Sequence, residues 1–114
     1  MARKSLPLLL LAAALVVALP YAVAVACWTP VNVTEALVVD IAKFAVRQNN
    51  RWSGSNMTFE SVVSGDQQEF AGTIYRLVIA ASDGKGTNNS NAFVLYQGWA
   101  APRFYKLLLF EAPR

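Results

Sequence analysis

The feature that most constrains this chain is a change of hydrophobic period. From about Thr34 to Trp52, the residues Leu37, Val38, Ile41, Phe44, Ala45 and Gln48 recur at spacings of three and four, the signature of an amphipathic helix with one apolar stripe. From Met57 onward the period is two. Met57, Phe59 and Val63 share one face of a run ending at Gln67, and Tyr75, Leu77 and Ile79 share one face of a second run over Thr73 to Ala81. Two further runs follow, Asn91 to Gln97 and Tyr105 to Phe110. Short connections between such runs imply an antiparallel sheet, and a single helix must cover one face of it, so the expected class is α+β.

The ends of the helix are marked by composition. Thr34 is the expected N-cap, Glu35 suits the positive end of the helix dipole and Arg47 and Arg51 the negative end, while Asn49, Asn50, Ser53 and Gly54 stop the helix. Trp52 is expected to pack on the core or the helix cap. Between the strands, Ser82-Asp83-Gly84-Lys85-Gly86 is a strong turn signal that the polar stretch Thr87 to Ser90 extends.

In a meander, successive connections alternate between the two ends of the sheet. The loop Gln68-Glu69-Phe70-Ala71-Gly72 and the loop Gly98-Trp99-Ala100-Ala101-Pro102-Arg103 therefore belong to one end, and the turn at Asp83 to Gly86 to the other. The extended segment Trp28-Thr29-Pro30-Val31, in which Pro30 holds Thr29 out of the helical region, brings Cys27-Trp28 to the first end if it runs that way. Gly72 can take a positive φ that Phe70 or Ala71 would adopt only with strain. Phe70 is the anomaly, because a large aromatic on a hairpin tip cannot easily pack under its own hairpin, and aromatics held on rigid turns are common interface anchors.

The chain has 114 residues. Its start, with Arg3 and Lys4, an uncharged apolar run over Leu6 to Leu19, and the small-residue triplets Ala22-Val23-Ala24 and Ala24-Val25-Ala26, reads as a secretory signal peptide over residues 1–26. The rival reading is a membrane anchor, since the uncharged stretch continues to Ala26, but Pro7 and Pro20 interrupt that stretch. Cleavage after Ala26 leaves 88 residues, 27–114, enough for one domain with a modest core, no membrane attachment and an extracellular location. The formal charge of +3 then shrinks, since without Arg3 and Lys4 eight basic residues face seven acidic ones. Neither that balance nor any basic run suggests a nucleic-acid partner.

Enzyme chemistry is disfavoured by composition. There is no His, the one Cys is Cys27, and no Ser or carboxylate pair has the spacing of an activated nucleophile or an acid and base. The same poverty of ligands argues against a metal or other cofactor. Cys27 has no partner for an internal disulfide; it is either an incidental small residue in a monomer or the link of an intermolecular dimer. Asn32-Val33-Thr34, Asn56-Met57-Thr58 and Asn88-Asn89-Ser90 are glycosylation acceptors in a secreted chain, of which Asn32, beside the helix cap, is expected to be the most hindered.

Gln68 to Gly72 resembles the Gln-x-Val-x-Gly loop of the cystatin family of cysteine protease inhibitors, with Phe70 in place of the central Val. Ile41-Ala42-Lys43-Phe44-Ala45-Val46-Arg47-Gln48-Asn49-Asn50 is similar to the helix signature of plant cystatins, and a signal peptide without disulfides also fits the plant branch. The resemblance covers Trp28 to Phe110 and implies a cystatin-like sheet wrapped around one long helix. It implies a function as well: a secreted, reversible inhibitor of papain-like cysteine proteases, binding through a trunk at Ala26, Cys27 and Trp28, a first loop at Gln68, Glu69, Phe70, Ala71 and Gly72, and a second loop at Gly98 and Trp99. Trp99 matches the Trp of the family's second loop, where Gly98 replaces Pro, and Ala26-Cys27 stands where Gly-Gly is usual. On this reading Phe70 is either a larger anchor or an obstruction, Glu69 adjusts preference, and Trp28 fixes the trunk by packing. All three departures fall on the binding edge, so a cystatin-fold protein that has lost inhibition and binds another partner is the competing expectation.

Overall fold

A computed structural model describes residues 27–112. One helix, α1 (Ala36–Ser53), packs on a sheet of five strands, β1 (Thr29–Pro30), β2 (Thr58–Glu69), β3 (Thr73–Ser82), β4 (Thr87–Gln97) and β5 (Phe104–Glu111). The strands lie in sequence order and every neighbouring pair is antiparallel. This is the expected α+β meander. The signal-peptide reading of residues 1–26, Ala26 included, lies outside the described residues. Among those described, no helix is long and apolar enough to cross a membrane.

The core forms between the stripe of α1 and one face of the sheet. Val38, Ile41, Ala42, Ala45 and Val46 meet Val62, Tyr75, Leu77, Ile79, Ala92, Val94 and Leu107, with Leu37 and Phe44 packed at the margin. The stripe is thus centred on Ala42 and Val46 and does not extend to Gln48. Small Ala at 42 and 45 lets the helix approach the sheet closely while Ile41, Leu77 and Ile79 fill the interior.

Further expectations are corrected. Thr34 is not the N-cap: α1 starts at Ala36 with Glu35 as cap residue and no side-chain cap bond. Asn32 has taken the local donors instead, its Oδ1 accepting from the Thr34 N–H at 3.0 Å and the Thr34 hydroxyl at 2.7 Å. At the other end Asn49 and Asn50 lie inside the helix, which stops at Gly54 with φ 70° and its N–H bonded to the Asn50 carbonyl at 2.9 Å. The Asn50 side chain does not break the helix but receives the next strand, accepting from the Met57 N–H and donating to the Met57 carbonyl. Trp52 is not a core residue; the buried stripe ends at Val46, and Trp52, further along the helix, is 58% exposed.

The inward face of β2 also differs. Two bulges, between Phe59 and Ser61 and between Val62 and Ser64, each insert one residue on β2 against β3. The alternation shifts accordingly, so Val62 enters the core and Val63 faces solvent. Finally, Thr87 to Ser90 is strand, paired with Ile79 to Ser82, and its Ser90 is buried. Polar composition marked that stretch as loop, but the β3 backbone offers it a continuous ladder.

Candidate functional site

The two loops and the N-terminal segment meet at one end of the sheet. β2 and β3 are joined there, as are β4 and β5, whereas the β3–β4 turn lies at the far end. Pairing of Thr29 with Gln67 and of Pro30 with Asp66 points the chain before Thr29 toward the same end, which places Cys27 and Trp28 beside the first loop.

That first loop is narrower than its motif suggests. Gln68 and Glu69 belong to β2, opposite Ile74 and Thr73, and only Phe70, Ala71 and Gly72 make the reversal. The Phe70 N–H donates to the Gly72 carbonyl at 2.8 Å, and the Thr73 hydroxyl to the Glu69 carboxylate at 3.0 Å. Gly72 has φ 123°, as expected, but Ala71 also enters the left-handed region at φ 53°. A reversal this short needs both positions, and Ala pays about 1 kcal/mol for it. Its consequence is to hold Phe70 outward, 59% exposed.

Neighbouring β4 supports the tip. A Cβ at Gly72 would stand 2.7 Å from the Tyr96 carbonyl oxygen and 2.9 Å from the Gln97 side chain, and the Gln97 amide donates to the Ala71 carbonyl at 2.7 Å. Gln97 also begins the second loop, its carbonyl accepting from the Ala100 N–H at 3.2 Å. The two loops are therefore joined through one side chain. Gly98 leaves room for the ring of Tyr96, whose hydroxyl lies 2.8 Å from where a Cβ would be. Trp99, next along, is 75% exposed.

The trunk is held differently. β1 has only two residues, but Trp28 lies on the sheet face away from the helix, its ring 4.2 Å from the Arg76 guanidinium and edge-on to Phe93 at 6.2 Å. Trp28 is half-buried and Cys27 exposed. Gln68 carries the one buried side-chain oxygen without a hydrogen-bond partner among the described residues. Beneath the edge, Tyr75 is buried, and that burial raises its hydroxyl pKa above 10.0, with Glu35, Tyr96 and Glu69 adding in the same direction.

Sequence reasoning singled out the residues on this edge but missed those that hold it. Arg76 and Gln97 looked like ordinary strand positions, and a lone Arg between Tyr75 and Leu77 is the one signal that could have drawn attention. The glycosylation acceptors Asn32, Asn56 and Asn88 are all exposed. No cluster of metal-ligating side chains occurs among the described residues.

This geometry can be set beside known proteins. Residues 31–112 match a family model described as aspartic acid proteinase inhibitor. The chain is 46% identical over 109 residues to Cysteine proteinase inhibitor 5 of Arabidopsis thaliana, covering 90% of this chain and 88% of that protein. The chain belongs to the plant cystatin family. Cysteine proteinase inhibitor 1 of Actinidia chinensis var. chinensis is 44% identical over 78 residues, covering 68% of this chain and 67% of the relative. A crystal structure of salivary cystatin from the soft tick Ornithodoros moubata superposes with a TM-score of 0.66 at 19% identity, covering 77% of this chain and 97% of the tick chain, which shows that the fold is shared. As a cystatin the chain is an inhibitor-type protein and not an enzyme.

Proposed function

We propose that this cystatin is a secreted, reversible inhibitor of papain-like cysteine proteases that occludes the active-site cleft with its trunk and two loops. The observation that carries the reading is the placement of Phe70 and Trp99, the two most exposed of the large apolar residues among those described, on adjoining loops at one end. Rigid turns lose little entropy when they enter a cleft, and aromatic anchors dominate such interfaces. Three short segments are enough for a contact of standard size, roughly 1,200 to 2,000 Å² in total. No residue of the inhibitor needs to react, since the block is steric.

The test is titration of papain with the chain from Cys27 to Arg114, with trypsin and pepsin in parallel. Saturable, reversible inhibition of papain alone is the expected outcome. The pepsin arm addresses a second reading, favoured by the description of the matching family and by the changes at Phe70 and Gly98: that this edge has been turned toward aspartic proteinases. Inhibition of pepsin without papain would establish it. A folded chain that inhibits neither would leave a cystatin-fold binding protein. Secretion, and N-linked glycans on Asn32, Asn56 or Asn88, are checked by expressing the full chain in plant cells and mapping peptides of the product recovered from the medium; absence from the medium would overturn the location.

A further inference from the structure

The trunk has little to hold it. β1 contributes two residues, and the backbone bond from the Val31 N–H to the Gly65 carbonyl lies further along the chain. What precedes Thr29 is fixed by a side chain. Trp28 reaches over β2 and lies against a row that crosses three strands, since Asp66 pairs with Arg76 and Arg76 with Phe93. Arg76 stands at the centre of this row. One guanidinium nitrogen donates to the Asp66 carboxylate at 2.7 Å, and the planar group lies 4.2 Å from the centre of the Trp28 ring. Phe93 closes the far side edge-on. The arrangement uses both properties that distinguish Arg from Lys, a charge that can be shared with a carboxylate and a flat face that stacks on an aromatic.

We propose that Arg76 is the positioning residue of the trunk: oriented by Asp66, it clamps Trp28 to the open face of the sheet and so sets where Cys27 stands beside the first loop. Arg76 itself touches no target. The role rests on the reading of the trunk as part of the binding edge, but the clamp can be measured without any protease, because Cys27 is the only cysteine, is exposed and adjoins Trp28. A clamped Trp28 restricts its neighbour. An unclamped one is tethered only from Thr29 onward, by the short β1 pairing and the Val31 bond behind it.

The experiment attaches a nitroxide spin label to Cys27 in the chain from Cys27 to Arg114, whose sheet and helix are complete within the described residues, and records its mobility together with papain association and dissociation rates. The variants are Arg76→Ala, Arg76→Lys, Trp28→Ala and the double variant. Arg76→Ala should mobilise the label as much as Trp28→Ala does, the double variant should add nothing, and Arg76→Lys should restore part of the order. In the papain arm, Arg76→Ala should raise the dissociation rate about tenfold while the association rate stays within about twofold, because a loosened trunk loses hold after docking. An unchanged label spectrum in Arg76→Ala overturns the clamp. Mobilised label with an unchanged dissociation rate overturns its role in binding. If the unaltered chain does not inhibit papain, the inhibitor reading fails while the label still decides the clamp. Thermal melts keep these outcomes separate from unfolding, since Arg76 and Asp66 are partly exposed and outside the core.

Discussion

The two hairpin turns at opposite ends of β3 solve the same problem in different ways. The far turn, between Ser82 and Thr87, holds itself: the Asp83 N–H donates to the Gly86 carbonyl at 3.2 Å, the Asp83 carboxylate accepts from the Lys85 N–H at 2.9 Å, and nothing lies within 4 Å of a Cβ placed on Gly84 or Gly86. The near turn, Phe70 to Gly72, is held by its neighbours. Its glycine is pressed against the Tyr96 carbonyl, its Ala71 carbonyl is taken by Gln97, and its aromatic is left exposed. Polar residues that satisfy one another make a turn and no more, whereas a turn braced from the next strand has its shape set by the tertiary structure. Such bracing is what a preorganised binding edge needs.

The largest break of this contrast comes from Gly72→Val. A β-branched side chain at φ 123°, directed at the Tyr96 carbonyl, has to push the tip off β4. We expect the papain inhibition constant to rise about 100-fold, or about 2.7 kcal/mol, with the domain still folded by circular dichroism. Gly86→Ala, facing open space on the far turn, should leave the constant within about twofold. Equal constants for the two variants would mean that the near turn has no special role.

Next in size is Phe70→Ala. If the exposed ring is an anchor, its removal should weaken papain binding by about 2 kcal/mol, roughly 30-fold in the inhibition constant. Its exposure of 59% means that stability should hardly change. Tighter binding would show instead that a ring larger than the family's Val obstructs the cleft.

How much of this was legible follows from the range of the interactions involved. Period and turn chemistry are local, so the helix, the strands and the shared end of the two loops could be read from Ile41, Phe44, Tyr75, Leu77 and Ile79 and from the glycines between them. The bulges on β2 could not, because nothing in Ser61-Val62-Val63-Ser64 says which Val opposes Ile79; pairing with β3 decides it. Thr87 to Ser90 was misread for the same reason. At the site, Phe70 stands out as an anomaly and Trp99 through the resemblance to the family's second loop, while Gln97 and Arg76 act across strands and only the register reveals them.

Gln97→Ala sharpens the comparison by removing the brace without touching the tip. It deletes the bond to the Ala71 carbonyl, in a partly solvated setting worth about 1 kcal/mol. The inhibition constant should rise about fivefold, and pairing Gln97→Ala with Trp99→Ala should give less than the product of the two effects, since both act through the second loop. Strictly multiplicative effects would show that the loops contribute independently.

The smallest effect distinguishes the ends by pH. Tyr75 lies beneath the near turn, on a strand between Gln67 and Val94, and its hydroxyl pKa is raised above 10.0, first by burial and then by Glu35, Tyr96 and Glu69. A raised pKa means that the folded chain keeps this proton after the unfolded chain has begun to lose it. Its contribution to stability is therefore fully present below pH 10 and declines as pH rises through the folded value. Melting temperature followed upward from about pH 9 should fall more steeply for the wild type than for Tyr75→Phe, which has no proton to lose. Hydrogen exchange in the same range should report the loosening at β3 and β4 near Tyr75 before it reaches the far turn, whose own bonds involve no tyrosine. Parallel melting curves for the two proteins would remove Tyr75 as the cause, and loosening that began at Asp83 to Gly86 would reverse the order of stability between the two ends.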